Sequence, residues 1–387
     1  MAEESTDLIG ELAAAIDALV AAGPEAFSDG TAVAALVRQS QRLAGVVSVA
    51  ATAMETSGEW RVDGACSASS WLSSRCRLPR SEAHRMCRLG RAMGEMPVTA
   101  QAWLSGEIGP TQVGILASLA TGRTAESFAR DEEMLVGHAK GLSFHQFCQA
   151  ARYWDQLADP DGCEEAAERR RARRDVSVHQ TFAGMWIGSM TLDPVSGAIV
   201  AGELARIEQR LFTADVEDAR RTEGEGAAGA GELRRTPAQR RADALVEMAT
   251  RSRSAPETGR RPAPLFSVLV DYPTLSGRVC ELANGHVVSP GSLVPWLSKA
   301  DIERVVFEAD GRVEVAAASR FFSGATRRAI EVRDRTCTHP TCEIPAERCQ
   351  VDHIVPWAQG GPTTQENGRL LCGYHNRLRN QRPPPSS

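Results

Sequence analysis

Near the C-terminus two ligand pairs, Cys337-x4-Cys342 and Cys372-x2-His375, stand about 30 residues apart, and this spacing constrains the chain more than any other feature. Two turns held at that separation can present three thiolates and an imidazole to one tetrahedral Zn2+. The segment they bracket has too few large apolar residues for a core of its own, so a metal crosslink is the physical means by which it would keep a shape. Thiols buried as small hydrophobes are the other use of the same cysteines. Cys349 lies between the pairs and is a fifth candidate ligand.

Whether cysteines serve metal or disulfides depends on the compartment. The first residues, Met1 to Asp7, are acidic and lack the basic and apolar regions of a secretory signal, and no apolar run reaches spanning length. A cytoplasmic location with no membrane association is the expectation. Cys66, Cys76, Cys87, Cys148, Cys163 and Cys280 show no paired ligand spacing and are expected to be buried thiols. His138 and His145 read as ordinary histidines of a helical stretch.

A length of 387 residues, 42% hydrophobic and 24% charged, allows two or three domains with real cores and excludes a chain disordered throughout. With aromatics at only 5%, helices packed through small and aliphatic side chains are favoured over an aromatic-rich sandwich. The expected fold is a mainly α N-terminal region with a few short strands, followed by a small C-terminal module. We divide the chain into an N-terminal segment at 1–30, a helical domain at 31–320 with flexible loops near 222–233 and 252–264, the module at 325–382, and a disordered tail at 383–387.

Within the helical region, Leu8, Leu12 and Ile16, then Val33, Leu36 and Val37, recur at helical spacing, broken by Gly23-Pro24 and Asp29-Gly30 turns. A helix capped by Ser81 carries Ala83, Met86, Leu89 and Met93 on one face and closes at Pro97. Trp103 to Val113 joins two periodic segments through a Gly-containing turn, which fits a DNA-reading helix-turn-helix or a plain helical hairpin. No Arg or Lys occurs from Thr111 through Gly122 to touch a phosphate backbone, which favours packing. The block Glu164 to Arg174 reads as a solvated helix face with i,i+4 pairs, or as an accessory nucleic-acid arm. Residues 176–193 alternate as a hairpin ending in a turn at Asp193-Pro194-Val195-Ser196-Gly197, and helices follow at Ala198–Phe212 and Pro237–Thr250. Leu265–Val270, Val305–Phe307 and Val313–Ala316 read as strands, the last two around an Asp310-Gly311 turn.

Between the ligand pairs runs Val351-Asp352-His353-Ile354-Val355-Pro356-Trp357, then Gly360-Gly361 and Asn367, with His375-Asn376 after Cys372. Splitting a phosphodiester needs a nucleophile made from water at neutral pH and positive charge near the leaving oxygen. His353, with an ordinary pKa of about 6.5, can take that proton. Asp352, on the opposite side of a strand, can offer a hard oxygen to Mg2+ or Mn2+. Gly360-Gly361 permits a tight loop, and Trp357 reads as packing rather than base stacking.

The order of these residues resembles the HNH endonuclease family, a ββα-metal fold in which two strands and a helix surround one divalent cation. The resemblance implies that Asn367 fixes the loop and orients His353. It assigns Cys337, Cys342, Cys372 and His375 to structural zinc, and Asn376, with Asp352, to the catalytic metal. Family members commonly carry His where Asn376 stands, so this chain departs from the pattern at a metal-ligand position. Upstream, Trp71-Leu72, the Leu78–Met96 helix, Gly106-Glu107-Ile108, Gln239 to Leu245 and Arg333 to Cys337 resemble actinobacterial repeat-family proteins that join a helical domain of unknown function to an HNH module.

Together these readings imply a metal-dependent endonuclease acting on nucleic acid, DNA in the first instance, with structural Zn2+ and catalytic Mg2+ or a similar ion. The alternative is a catalytically weak or inactive zinc-containing nucleic-acid binder. Net charge is −5 over the whole chain, yet residues 327–382 hold nine arginines against six carboxylates, a local pull on a polyanion. Arg369, Arg377 and Arg379 are the expected phosphate contacts.

Overall fold

A computed structural model describes residues 2–223, 233–254, 265–270, 280–282, 286–296, 301–306, 322 and 324–381. The chain divides into two compact units, Met1–Ala151 and Arg152–Ser387.

The first unit is helical: α1 (Ala2–Ala22), α2 (Gly30–Ser57), α3 (Ala68–Arg75), α4 (Arg80–Glu95), α5 (Pro97–Ser105), α6 (Pro110–Leu119), α7 (Ala125–Gly141) and the start of α8 (Phe144–Ala158). The Asp29-Gly30 break is a helix start, because the Asp29 carboxylate accepts from the amides of Thr31 and Ala32, both at 2.9 Å. Where α2 crosses α4, a Cβ on Gly90 would stand 2.0 Å from the Ser48 carbonyl, so the crossing requires glycine. The expected Ser81 cap is corrected: α4 opens at Arg80 behind Pro79, with no side-chain cap bond, since proline already sets the entry conformation. Pro97 both ends α4 and occupies the first turn of α5.

The α5–α6 turn packs as a hairpin. Trp103, Val113 and Leu116 are fully buried, and the Trp103 indole donates to the Gln41 carbonyl at 2.8 Å. Buried Glu132, on α7, accepts from the Thr99 amide at 2.8 Å and so satisfies an unpaired donor at the start of α5. Cys66 and Cys76 depart from the expectation of burial; both are exposed, because they flank the short α3 rather than sit on its packed face.

In the second unit, α9 (Pro160–Ala172) precedes an antiparallel hairpin, β1 (Asp175–Gln180) and β2 (Trp186–Thr191), and then the long helices α10 (Pro194–Glu223) and α11 (Pro237–Ser254). Two sequence-based boundaries are corrected here. The Asp193-Pro194 turn is the start of α10: Asp193 accepts from the amides of Val195 and Ser196, both at 3.1 Å. The loops expected near 222–233 and 252–264 begin later, as α10 and α11 continue to Glu223 and Ser254; residues 224–232 and 255–264 lie outside the described residues. Glu164, expected on a solvated face, instead accepts from the Gly291 amide at 2.8 Å and the Ser289 hydroxyl at 2.9 Å.

A four-stranded mixed sheet follows in the order β5 (Val287–Val288), β4 (Cys280–Leu282), β3 (Leu265–Val270), β6 (Asp301–Val306), with β3 and β6 parallel. The expected strand at Val305–Phe307 is the end of β6; Phe307, the Asp310-Gly311 turn, Val313–Ala316 and the tail at 383–387 lie outside the described residues. Fully buried Glu281 on β4 pairs with Arg335 at 3.1 Å and accepts from the Tyr153 hydroxyl.

The C-terminal module consists of α12 (Gly324–Asp334), β7 (Cys349–His353), β8 (Gly368–Cys372) and α13 (Gly373–Gln381). Its apolar cluster unites Phe322 and Ile330 with Cys337, Ala346, Cys349, Leu370, Leu371 and Cys372. Arg333 on α12 donates to the carbonyls of Gln365 and Gly368 at 2.6 and 2.7 Å, and Asp334 accepts the Leu370 amide at 2.9 Å. Helix α12 therefore completes the module's core.

Candidate metal centre and active site

The β7–β8 pair runs antiparallel with Cys349 opposite Cys372, Asp352 opposite Arg369 and His353 opposite Gly368. Because strand side chains alternate, Cys349, Val351 and His353 share one face and Gln350 and Asp352 the other. Gly368 leaves room for the cluster, since a Cβ there would meet Ile330 at 2.3 Å.

Cys337, Cys342, Cys372 and His375 converge, their ligand atoms all within 4.8 Å of one another. The Cys337 sulfur is 3.4 Å and the Cys372 sulfur 3.3 Å from His375 Nδ1, and the Cys342 and Cys372 sulfurs are 4.0 Å apart. A tetrahedron of Zn–S bonds near 2.3 Å has edges of about 3.8 Å, so the donor set fits zinc in both type and spacing. Burial pushes the Cys337 thiol up, but the Cys372 and His339 amides outweigh it and hold the thiol below its ordinary value. Desolvation, then stacked His339 at 3.7 Å, holds His375 below the usual imidazole range, which favours the neutral ligating form. Cys349 stays out of this cluster: its thiol donates to the Ile344 carbonyl at 3.5 Å, and burial pushes it well up.

His353 sits at the end of β7. Its Nε2 is 3.0 Å from the Thr363 hydroxyl, and its ring lies 4.4 Å from Phe322 and 5.9 Å from Trp357. Asn367 ties down the loop that follows, accepting from the Val355 amide at 2.8 Å and donating to the carbonyls of Val355 at 3.1 Å and Pro362 at 2.7 Å. Gly360 adopts a φ of 83°, and a Cβ on Gly361 would stand 1.9 Å from the Val355 carbonyl. The glycine pair is thus a steric requirement of the loop.

On the other face of β7, α13 brings Asn376 to Gln350, its amide donating at 2.5 Å, and Arg379 to Asp352. Arg379 also donates to the carbonyls of His353 and, at 2.6 Å, Ile354. Arg369 stands 3.5 Å from the same Asp352 carboxylate. Two of the three arginines expected to touch phosphate, Arg369 and Arg379, are therefore engaged with Asp352, whereas the third, Arg377, lines a separate cavity. Asp352 on β7 and Asn376 on α13 each carry a hard oxygen, and the Arg379 guanidinium neutralises the Asp352 carboxylate. Thr363, Gln350 and the bracing role of Arg379 were not legible beforehand, because no ligand spacing marks them.

Comparison with known proteins adds two family matches. The model described as "Domain of unknown function (DUF222)" matches residues 31–334, and the one described as "HNH endonuclease" matches residues 337–382. An uncharacterized protein of Mycobacterium tuberculosis is 28% identical over 242 residues, 58% of this chain and 51% of that protein. One from Mycobacterium bovis is 27% identical with the same coverage. A further Mycobacterium tuberculosis protein, also uncharacterized, is 26% identical over 345 residues, 79% of this chain and 78% of its own length. The chain thus spans about half the length of the first of these curated relatives. No solved structure matches it. Among the described residues no helix is long and apolar enough to cross a membrane.

Proposed function

Because this chain belongs to the DUF222 family and carries an HNH endonuclease domain behind that region, we propose that it is a metal-dependent endonuclease that hydrolyses phosphodiester bonds of nucleic acid, DNA being the first substrate to test. One observation carries the reading: an imidazole and a carboxylate stand on adjacent residues of β7, beside a loop pinned by Asn367 and in the same module as a Cys3His ligand cluster that could hold zinc.

In this reading His353 is the general base. Thr363 at its Nε2 and the ring of Phe322 fix the imidazole plane, and Asn367 holds the loop that would otherwise let the strand end fray. Asp352 and Asn376 would hold the catalytic ion. When bound, such an ion supplies positive charge to the phosphate and lowers the pKa of water. The zinc ligands serve shape, crosslinking the turn at Cys337–Cys342 to the start of α13.

The Arg379–Asp352 pair favours a second reading, a zinc-braced nucleic-acid binder whose carboxylate is already neutralised and whose Asn376 is a weak ligand. A plasmid-nicking assay with Mg2+, Mn2+ or Ni2+ separates the two. The nuclease reading expects cutting by the wild type and its loss, by at least about 100-fold, in His353→Ala with zinc content unchanged. Cutting that appears only in Asn376→His supports the binder; cutting that survives His353→Ala removes the assigned base.

A further inference from the structure

A cavity of about 330 Å3 lies in the second unit where α10 and the start of α11 meet the module, lined among others by Phe212, Arg240, Arg348, Gln350 and Arg377. Its arginines fall into two groups. Arg235 and Arg240 are committed to buried Asp215, at 2.6 and 3.4 Å. Arg348 and Arg377 have no side-chain partner among the described residues.

Of these two guanidiniums Arg348 is exposed and Arg377 half-buried, and against them the lining sets Glu347, also exposed, and Glu208, which pairs with Arg241 at 3.5 Å. Arg240, 6% exposed, has a buried Nε with no hydrogen-bond partner. A buried N–H without an acceptor is costly, and together with two unpaired guanidiniums it calls for an anion. Phe212 adds an apolar wall, beneath the Arg240 guanidinium at 5.1 Å. The volume is at the small end of ligand cavities, which run from about 300 to 1,000 Å3, and suits one nucleotide rather than a duplex.

Gln350 ties this cavity to the candidate active site. It lines the cavity and also accepts the Asn376 amide at 2.5 Å, and Arg377 is the next residue. We propose that the cavity is a nucleotide subsite that holds one backbone phosphate of the substrate strand between Arg348 and Arg377, so that helices α10 and α11 form part of the substrate-binding surface. The proposal rests on the nuclease reading for its ligand, and it assigns a binding role to the helical region that neither family description gives.

Fluorescence anisotropy of labelled single-stranded and duplex oligonucleotides, with the full zinc-loaded chain in EDTA-free buffer lacking Mg2+ and Mn2+, tests it over a salt series. The double variant Arg348→Gln/Arg377→Gln is expected to bind roughly tenfold more weakly and to lower the slope of log K against log salt by about one, the signature of one lost phosphate contact. Ala205 also lines the cavity from α10, and Ala205→Phe, which fills it without removing charge, is expected to weaken binding likewise, zinc content and melting behaviour showing that both variants fold. Unchanged affinity and slope in both would overturn the proposal. Tight binding of free deoxynucleoside monophosphate or inorganic phosphate, lost in the double variant while oligonucleotide binding is unaffected, would overturn the strand as ligand. Nicking measured in parallel keeps the two readings apart: intact nicking with unaltered binding sinks the subsite alone, and oligonucleotide binding with the expected slope but no nicking sinks the nuclease alone.

Discussion

Asp352 shows how one residue can be legible in type and illegible in state. Its place before His353 marks it as a hard ligand, yet its carboxylate is gripped by Arg379, which also donates to two backbone carbonyls of the same strand end. A guanidinium there competes with a divalent ion for the same charge. Arg379→Gln is therefore expected to tighten Mn2+ binding by about tenfold, equivalent to about 1.4 kcal/mol, read by titration calorimetry. Unchanged or weaker binding would mean that Arg379 chiefly braces the strand. Cys349 teaches the converse. Sequence leaves it as a possible fifth ligand, and only its bond to Ile344 and its burial assign it to the core.

At the scale of elements, periodicity and capping chemistry read most helices correctly, and the errors cluster at starts. Asp193-Pro194 looks like the end of a hairpin but opens α10, and Leu78-Pro79 opens α4 as read but without the Ser81 cap, because proline ends helices as readily as it opens them. Which it does depends on whether the next turn has a core to face. Helix α12 is the element that matters most for the module. Ile330 is fully buried and Phe322 flanks His353, although the HNH match begins only at residue 337. A fragment of residues 322–382 is expected to bind one zinc and melt cooperatively, and one of residues 337–382 to do neither, since losing a buried Ile side chain alone costs about 2–5 kcal/mol. Equal folding of the two, by circular dichroism and metal analysis, would refute this role for α12.

For the whole molecule, the two kinds of stabilisation should separate. The first unit rests on helix packing around Trp103, Val113, Leu116 and Leu135. The C-terminal module carries the Cys337, Cys342, Cys372 and His375 cluster that could hold a metal, and it is expected to depend on that crosslink. Chelation is expected to abolish one thermal transition and leave the helical one in place, as followed by circular dichroism and by calorimetry. A melting profile indifferent to chelator would show that the module folds without metal.

What the sequence determined by itself was local: the paired Cys and His candidates for zinc, the glycine pair and the apolar faces of helices, while the order of strand, loop, strand and helix was implied by the family resemblance. The local features follow from spacing, and spacing is written along the chain. Tertiary structure alone decided the partners of Glu164, Glu281 and Asp352 and the place of Arg377 in the cavity wall. Glu164 lies 127 residues from Gly291, and Glu281 lies 54 from Arg335. No period connects such pairs. Their meeting depends on how packed elements aim their side chains, and that is fixed only when burial selects one arrangement of the whole.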